Sequence, residues 1–225
     1  EQVERRLERV RRQARGGERQ AANEERWLEE LAEALRADHP ARGVGPLPDA
    51  ADGLRELGLL TAKPVLFVAN VEEGEDEVPP PLAAHAAEAG AAAVAVCARL
   101  EAELAELGGD EAAAMREELG LPDGGVERLV GAAFRLLDLI AFFTADPGRP
   151  AMSRHMPRGM TAWDAAGLVH SDMQRGFVRA EVVTWEELVD TGGFAAARER
   201  GTLRVEGRDY PVADGDVVHF RFTPP

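Results

Sequence analysis

The sequence predicts a mixed chain: a helical hairpin, then a short α/β segment, then an α+β module. Three observations predict it. Apolar residues recur at helical spacing in two stretches near the start. Two short apolar runs in the middle each end in a polar residue and are each followed by a helix-like stretch. From residue 139 onward, strand-like runs alternate with short helices and turns.

Each element has its own justification. Val3, Leu7, Val10 and Ala14 fall on one helical stripe, and Trp27, Leu28, Leu31, Ala34 and Leu35 on a second. Gly16-Gly17 interrupts them, so the pair reads as an antiparallel hairpin or short coiled coil. The first helix starts at residue 1 without an N-cap, which predicts more of it upstream. Residues 38–50 are dense in Pro and Gly and read as a loop, with Asp49 as N-cap of a helix to Leu57. Pro64 to Asn70 and Ala91 to Ala98 are apolar runs of the kind that form buried parallel strands. Helices Leu82 to Glu88 and Leu100 to Leu107 follow them, giving a strand–helix–strand–helix order, a right-handed crossover by expectation.

Glu111 to Leu119 and Gly125 to Leu139 read as helices. Leu139 to Thr144 and Ala151 to Met156 are strand-like. Thr161 caps a helix to His170, with Asp164 in the capping-box position. Phe177 to Thr184 alternates apolar with charged residues, as a half-buried strand does. Short helices at 185–190 and 193–198 lead to strands at Thr202 to Val205 and Asp216 to Phe222, with a short extended piece at Tyr210 to Val212. Two strands, a helix and further strands in this order predict a ubiquitin-like β-grasp. In it, Asp172 is expected to cap the loop after the helix, Gly176 to take an unusual backbone angle and Phe177 to enter the core.

Composition excludes several chemistries. The chain has 225 residues, 45% hydrophobic and 30% charged, which suits a folded core. Its apolar runs are far shorter than the ~20 residues a membrane span needs. A single cysteine, Cys97, rules out an internal disulfide framework and fits a reducing compartment. The five histidines show no HxH or HExxH spacing, and the two serines, Ser153 and Ser171, stand outside GxSxG. The net charge is −15, and residues 61–150 carry most of it, with 17 acidic against 6 basic residues. The first fifteen residues reverse the sign with six arginines. Among them, Arg11, Arg12 and Arg15 are candidates for contact with an RNA backbone, as are Arg175 and Arg179 further on.

The stretch Leu60-Thr-Ala-Lys63-Pro-Val-Leu-Phe-Val-Ala-Asn70-Val71-Glu-Glu73 resembles the fourth motif of the YchF (Obg-like ATPase) family of P-loop NTPases. Guanine-specific relatives carry NKxD there, whereas this family carries NxxE and prefers ATP. By that resemblance Asn70, Val71 and Glu73 are base-side contacts. Cys97-Ala98-Arg99 is similar to the fifth motif, which puts Cys97 and Ala98 beside the base as well. The hairpin matches the family's inserted coiled coil. The runs from Thr161 to Val182 and from Gly207 to Phe222 closely resemble the family's TGS-type C-terminal domain.

The resemblance implies three segments: a hairpin and connecting helix over 1–60, the C-terminal half of a nucleotide-binding domain over 61–138, and a TGS-like β-grasp domain over 139–225. It implies a cytoplasmic protein that binds ATP, with Mg2+ in the full-length protein, and that contacts the large ribosomal subunit or its RNA; neither DNA nor a membrane is expected as a partner. The chain departs from the family in one respect. No GxxxxGK[ST] loop occurs, and Lys63, the only lysine, follows no Gly-rich loop. No catalytic residue is therefore assigned, and a binding module without nucleotide chemistry is the competing expectation.

Overall fold

A computed structural model describes residues 1–14, 19–47, 53–120, 124–145 and 150–224. By compactness the chain divides into two units, residues 1–67 with 83–92, and residues 68–82 with 93–225.

The first unit is built on α1 (Gln2–Ala14) and α2 (Arg19–Arg36). Val3, Leu7 and Val10 of α1 bury against Trp27, Leu28 and Leu31 of α2. The stripe read from the sequence is thus the packed one, and its arginines fall outside it. Ion pairs link Glu4 to Arg36, and Arg11 to Glu25 and Glu29, so the helices run in opposite directions. The indole N–H of Trp27 donates to the Gly45 carbonyl at 2.8 Å and pins the loop that follows. Leu47 and Leu57 complete this core. The helix expected to reach Leu57 is short, α3 (Gly53–Glu56), and its expected cap Asp49 lies outside the described residues, as does the Gly16-Gly17 break.

β1 (Leu66–Asn70) and β2 (Ala92–Val96) form a two-stranded sheet, with α4 (Pro80–Glu88) between them in sequence. Pro80 opens α4, where its missing N–H costs nothing. The expectation of two buried strands needs correction for β1. Only Ala69 of β1 is buried, and Val68 is 49% exposed. In a sheet of two strands there is little to cover the second face.

The second unit continues with α5 (Ala98–Ala105), α6 (Gly109–Glu118) and α7 (Gly125–Leu136). Next come β3 (Leu139–Thr144), β4 (Met152–Pro157), α8 (Ala162–Val169), α9 (Ser171–Arg175) and β5 (Phe177–Thr184). The chain ends through α10 (Trp185–Thr191), α11 (Phe194–Arg200), β6 (Arg204–Glu206) and β7 (Asp216–Phe222). The five strands lie in the order β4-β3-β7-β5-β6. β3 and β7 are parallel at the centre, and the other pairs are antiparallel. Between Thr202 and Phe222 the expected extended piece at Tyr210 to Val212 contributes only a bridge from Pro211 to Thr161.

One sheet face packs on α8. Ile140, Phe142, Met156, Ala180, Val182, Val218 and Phe220 bury against Ala162, Ala165 and Ala166. The alanines let the helix approach closely. α8 starts at the predicted capping box, with the Thr161 hydroxyl accepting from the Asp164 N–H and the Asp164 carboxylate accepting from the Thr161 N–H. On the other face, Val183 and Val217 pack with Phe143, Leu188, Phe194 and Ala197.

Three local expectations are overturned. The residues after α8 form the short helix α9, capped by the His170 ring, whose Nδ1 accepts from the Asp172 N–H; Asp172 pairs instead with Arg175. Gly176 has an ordinary φ of −89°. What it avoids is steric, because a Cβ there would overlap the Thr223 carbonyl oxygen. In β5 the alternation fails: Ala180, Glu181, Val182 and Val183 are all buried, since layers cover both faces at that point.

Candidate functional site

The carboxyl ends of β1 and β2 meet. The Val71 N–H donates to the Val96 carbonyl at 3.1 Å, continuing the sheet one residue past β1. The Asn70 side-chain carbonyl then accepts from the Ala98 N–H at 3.0 Å. That N–H is one of the free donors of the first turn of α5. Asn70 therefore ties the end of one strand to the start of the helix that follows the other. Its short amide side chain suits the task, since it can reach across without covering the loop. Three residues on, Glu73 pairs with Arg99 at 3.2 Å, both exposed.

Beneath this loop pair lies a small apolar cluster of Cys97, Leu100, Leu104 and Ala112, with Val71 packed on it. Cys97 is buried and unpaired with another cysteine. Leu100 and Leu104, four residues apart, hold α5 down by their shared face. Next to them on the same helix, Glu101 accepts from the Gly125 N–H at 2.5 Å and pairs with Arg116 at 3.3 Å. A carboxylate at the start of α7 satisfies free helical N–H groups there. Gly125 is small by need, because a Cβ would press on Val96 and Glu101.

The structure thus brings Asn70, Val71, Glu73, Cys97 and Ala98 together. Val71 and Cys97 form the floor. Asn70, Glu73 and the first turn of α5 form a polar rim. Arg99, which sequence reasoning passed over, faces Glu73 across that rim. Its position directly after Cys97-Ala98 was the available signal. Among the described residues, no group of three or more His, Cys, Asp or Glu side chains is arranged to hold a metal ion.

The candidate arginines are dispersed. Arg11 is engaged by Glu29 at 2.6 Å and Glu25 at 3.3 Å, and these carboxylates raise its already high pKa. Arg12 is exposed, with its Nε–H donating to the Glu8 carbonyl. Arg15 lies outside the described residues. Arg175 pairs with Asp172 at the end of α9. Arg179 belongs to a group that sequence reasoning missed. Glu181, buried on β5, is approached by Arg198 from α11 at 3.0 Å, Arg221 from β7 at 3.1 Å and Arg179 at 3.6 Å. The strand register produces this convergence, with Arg179 opposite Arg221 and Glu181 opposite His219. Burial pushes the Glu181 carboxyl up. The Arg221 hydrogen bond and the charges of Arg221, Arg198 and His219 outweigh it and hold the pKa below the usual value.

A second buried carboxylate, Asp216, accepts from the Tyr210 hydroxyl at 2.8 Å, the Ala213 N–H at 2.9 Å and Arg204 at 3.3 Å. With its donors all local, it is a structural latch for the turn before β7. Burial and the Asp216 hydrogen bond raise the Tyr210 pKa.

Comparison with known proteins agrees with the family resemblance read from the sequence. Residues 139–223 match the family model YchF-GTPase_C, described as "Protein of unknown function (DUF933)". The chain is 41% identical to the ribosome-binding ATPase YchF of Bacillus subtilis over 99% of its own length and 62% of that protein's. Against the Haemophilus influenzae protein of the same name the identity is 36%, over 97% of this chain and 61% of the relative. The fold is similar to that of the Schizosaccharomyces pombe YchF GTPase, with a TM-score of 0.81, 24% identity, and coverage of 98% of this chain and 61% of the other. A GTP binding protein from Pyrococcus horikoshii gives a TM-score of 0.52 at 20% identity, over 87% and 57% of the two chains. The chain thus spans about three fifths of the length of the curated relatives it matches.

Proposed function

As the chain belongs to the YchF family, we propose that it is the C-terminal portion of a ribosome-associated ATP-binding protein, one that retains the base-side contacts and the ribosome-facing modules. The observation that carries this reading is the Asn70 carboxamide bonded to the Ala98 N–H, which draws the NxxE loop and the Cys97-Ala98 loop into one rim. Asn70, Val71, Glu73, Cys97 and Ala98 would hold the adenine base there. Asn70 fixes the two loops, Val71 and Cys97 supply an apolar wall, and Glu73 supplies an acceptor for an exocyclic amine. The hairpin and the C-terminal module, read as a β-grasp of TGS type on its strand order, supply the ribosome contact, with Arg11, Arg12, Arg15, Arg175 and Arg179 as candidate residues. The name of the bacterial relatives and the near-complete coverage of this chain support that partner. The setting is cytoplasmic.

ATP, when bound, presents its base to this rim and its phosphates elsewhere. The chain contributes no GxxxxGK[ST] loop, so by itself it does not hydrolyse nucleotide. The test joins this chain to the P-loop portion of the Bacillus subtilis relative. The chimaera is expected to bind a fluorescent ATP analogue, with ATP displacing it better than GTP. Asn70→Ala is expected to weaken binding about tenfold, the worth of one hydrogen bond that holds the two loops together. Glu73→Asp is expected to move the preference toward GTP. A chimaera that binds ATP with no sensitivity at either position overturns the assignment. Hydrolysis by the isolated chain would equally contradict the division of labour.

A further inference from the structure

We propose that Arg179, Arg198 and Arg221, gathered on the buried carboxylate of Glu181, form a docking site for the phosphodiester backbone of single-stranded RNA. The proposal rests on the reading of this module as ribosome-facing and deepens the expected contact of Arg179 with an RNA backbone, adding Arg198, Arg221 and the carboxylate that gathers the three.

The argument begins with charge. One carboxylate balances one guanidinium, yet three approach Glu181 within 3.6 Å. The cluster keeps a surplus of two positive charges in a chain whose net charge is −15. Such crowding of like charges is unfavourable until an anion arrives. Burial divides the group into a base and a surface. The Glu181 side chain is 6% exposed, whereas those of Arg179, Arg198 and Arg221 are about half exposed, at 51%, 59% and 47%. An incoming anion therefore meets guanidinium N–H groups, with the carboxylate underneath holding them in place. Each guanidinium has five donors; Arg198 and Arg221 each spend one on Glu181, and Arg179 stands at 3.6 Å as an ion pair. The remaining donors suit the paired oxygens of a phosphate.

The position in the sheet favours a strand-like ligand over a single ion. Arg179 and Arg221 are cross-strand partners on β5 and β7, on the face that α11 covers as far as Glu181 and His219, where Phe194 meets the imidazole ring and Arg198 reaches the carboxylate. Val205 of β6 lies opposite Glu181 and is 65% exposed. The open end of the face thus offers a row of cations able to track a phosphodiester backbone, with an exposed valine beside it.

The test uses the full 225-residue chain and a fluorescein-labelled oligouridylate of about 12 nucleotides, read by anisotropy at several salt concentrations. Arg198→Glu with Arg221→Glu is expected to weaken binding at least tenfold. The paired charge-neutral change, Arg198→Gln with Arg221→Gln, is expected to flatten the slope of log K against log salt by about 1.4. Thermal melts of both variants verify folding, and Arg198→Gln alone provides the mildest variant. Unchanged affinity and slope overturn the proposal. So does tighter, equally arginine-dependent binding of oligoglutamate, which would mark an acidic protein as the partner. Ribosome pelleting of the same samples separates the two readings. Pelleting by the wild-type chain with RNA binding indifferent to these arginines removes the docking site alone; absence of wild-type pelleting removes the ribosome reading.

Discussion

Asn70 shows how a single side chain can organise a site. Its carbonyl oxygen takes up a helix N–H that would otherwise face solvent. In this chain, Asn70→Ala is expected to cost about 1 kcal/mol, measurable as a shift of the urea midpoint with an unchanged slope. Glu181 makes a different prediction, on pH. Its folded pKa is depressed, so its contribution to stability is present above the unfolded carboxyl value and disappears as pH falls through the folded one. Stability curves of Glu181→Gln and wild type should therefore converge in acid and diverge toward neutrality. Parallel curves would show that the carboxylate is not ionised by its arginines. Gly176 predicts by shape. Gly176→Ala places a methyl group on the Thr223 carbonyl, and about 1–3 kcal/mol of destabilisation is expected in thermal unfolding. The sequence signalled a special glycine here, but the cause is a neighbour 47 positions away and not a torsion angle, and no local reading could separate the two.

At the scale of elements, boundaries were most legible where capping chemistry was local. Thr161 with Asp164 starts α8 as the sequence predicts, and the structure shows the same reciprocal bonding by Thr184 and Glu187 at the start of α10, a box not singled out from the sequence. Thr161→Ala and Thr184→Ala should each cost about 1 kcal/mol, and Thr→Ser at either site should recover most of it. Legibility fell where one element depends on another. β5 reads in sequence as alternating, yet four consecutive residues are buried, because α8 covers one face and the layer of α11 part of the other. α9 was read as loop because five residues hold too little periodicity to register. β1 was read as buried because its composition is that of a central strand, and here it has one neighbour.

For the whole molecule, the unbalanced feature is exposed apolar surface. Val68 of β1 and Val126, Val130 and Leu137, spaced by four and seven along α7 and just past its end, are each about half exposed. A stripe at that spacing is the kind a helix normally buries. The isolated chain is expected to bind a hydrophobic dye and to self-associate with rising concentration in sedimentation velocity. Joining it to the P-loop portion of a relative should reduce both. Dye binding that persists in the chimaera would locate the exposed surface elsewhere. High acidic charge should act in the opposite sense, so that added salt promotes association by screening repulsion between chains.

The amino-acid sequence by itself determined the order of elements, the packed stripe of the hairpin, the Thr161–Asp164 capping box and the NxxE and Cys97-Ala98 stretches that carry the family resemblance. These depend on residues within a few positions of one another, where periodicity and short-range hydrogen bonding dominate. Tertiary structure alone decided the rest. It joined Asn70 to Ala98 and Arg99 to Glu73, and it set the parallel pairing of β3 with β7. It also collected Arg179, Arg198 and Arg221 around Glu181, from three elements separated by up to 42 positions. Such contacts follow from strand register, and register is fixed by the buried pattern of the entire sheet and not by any segment of it.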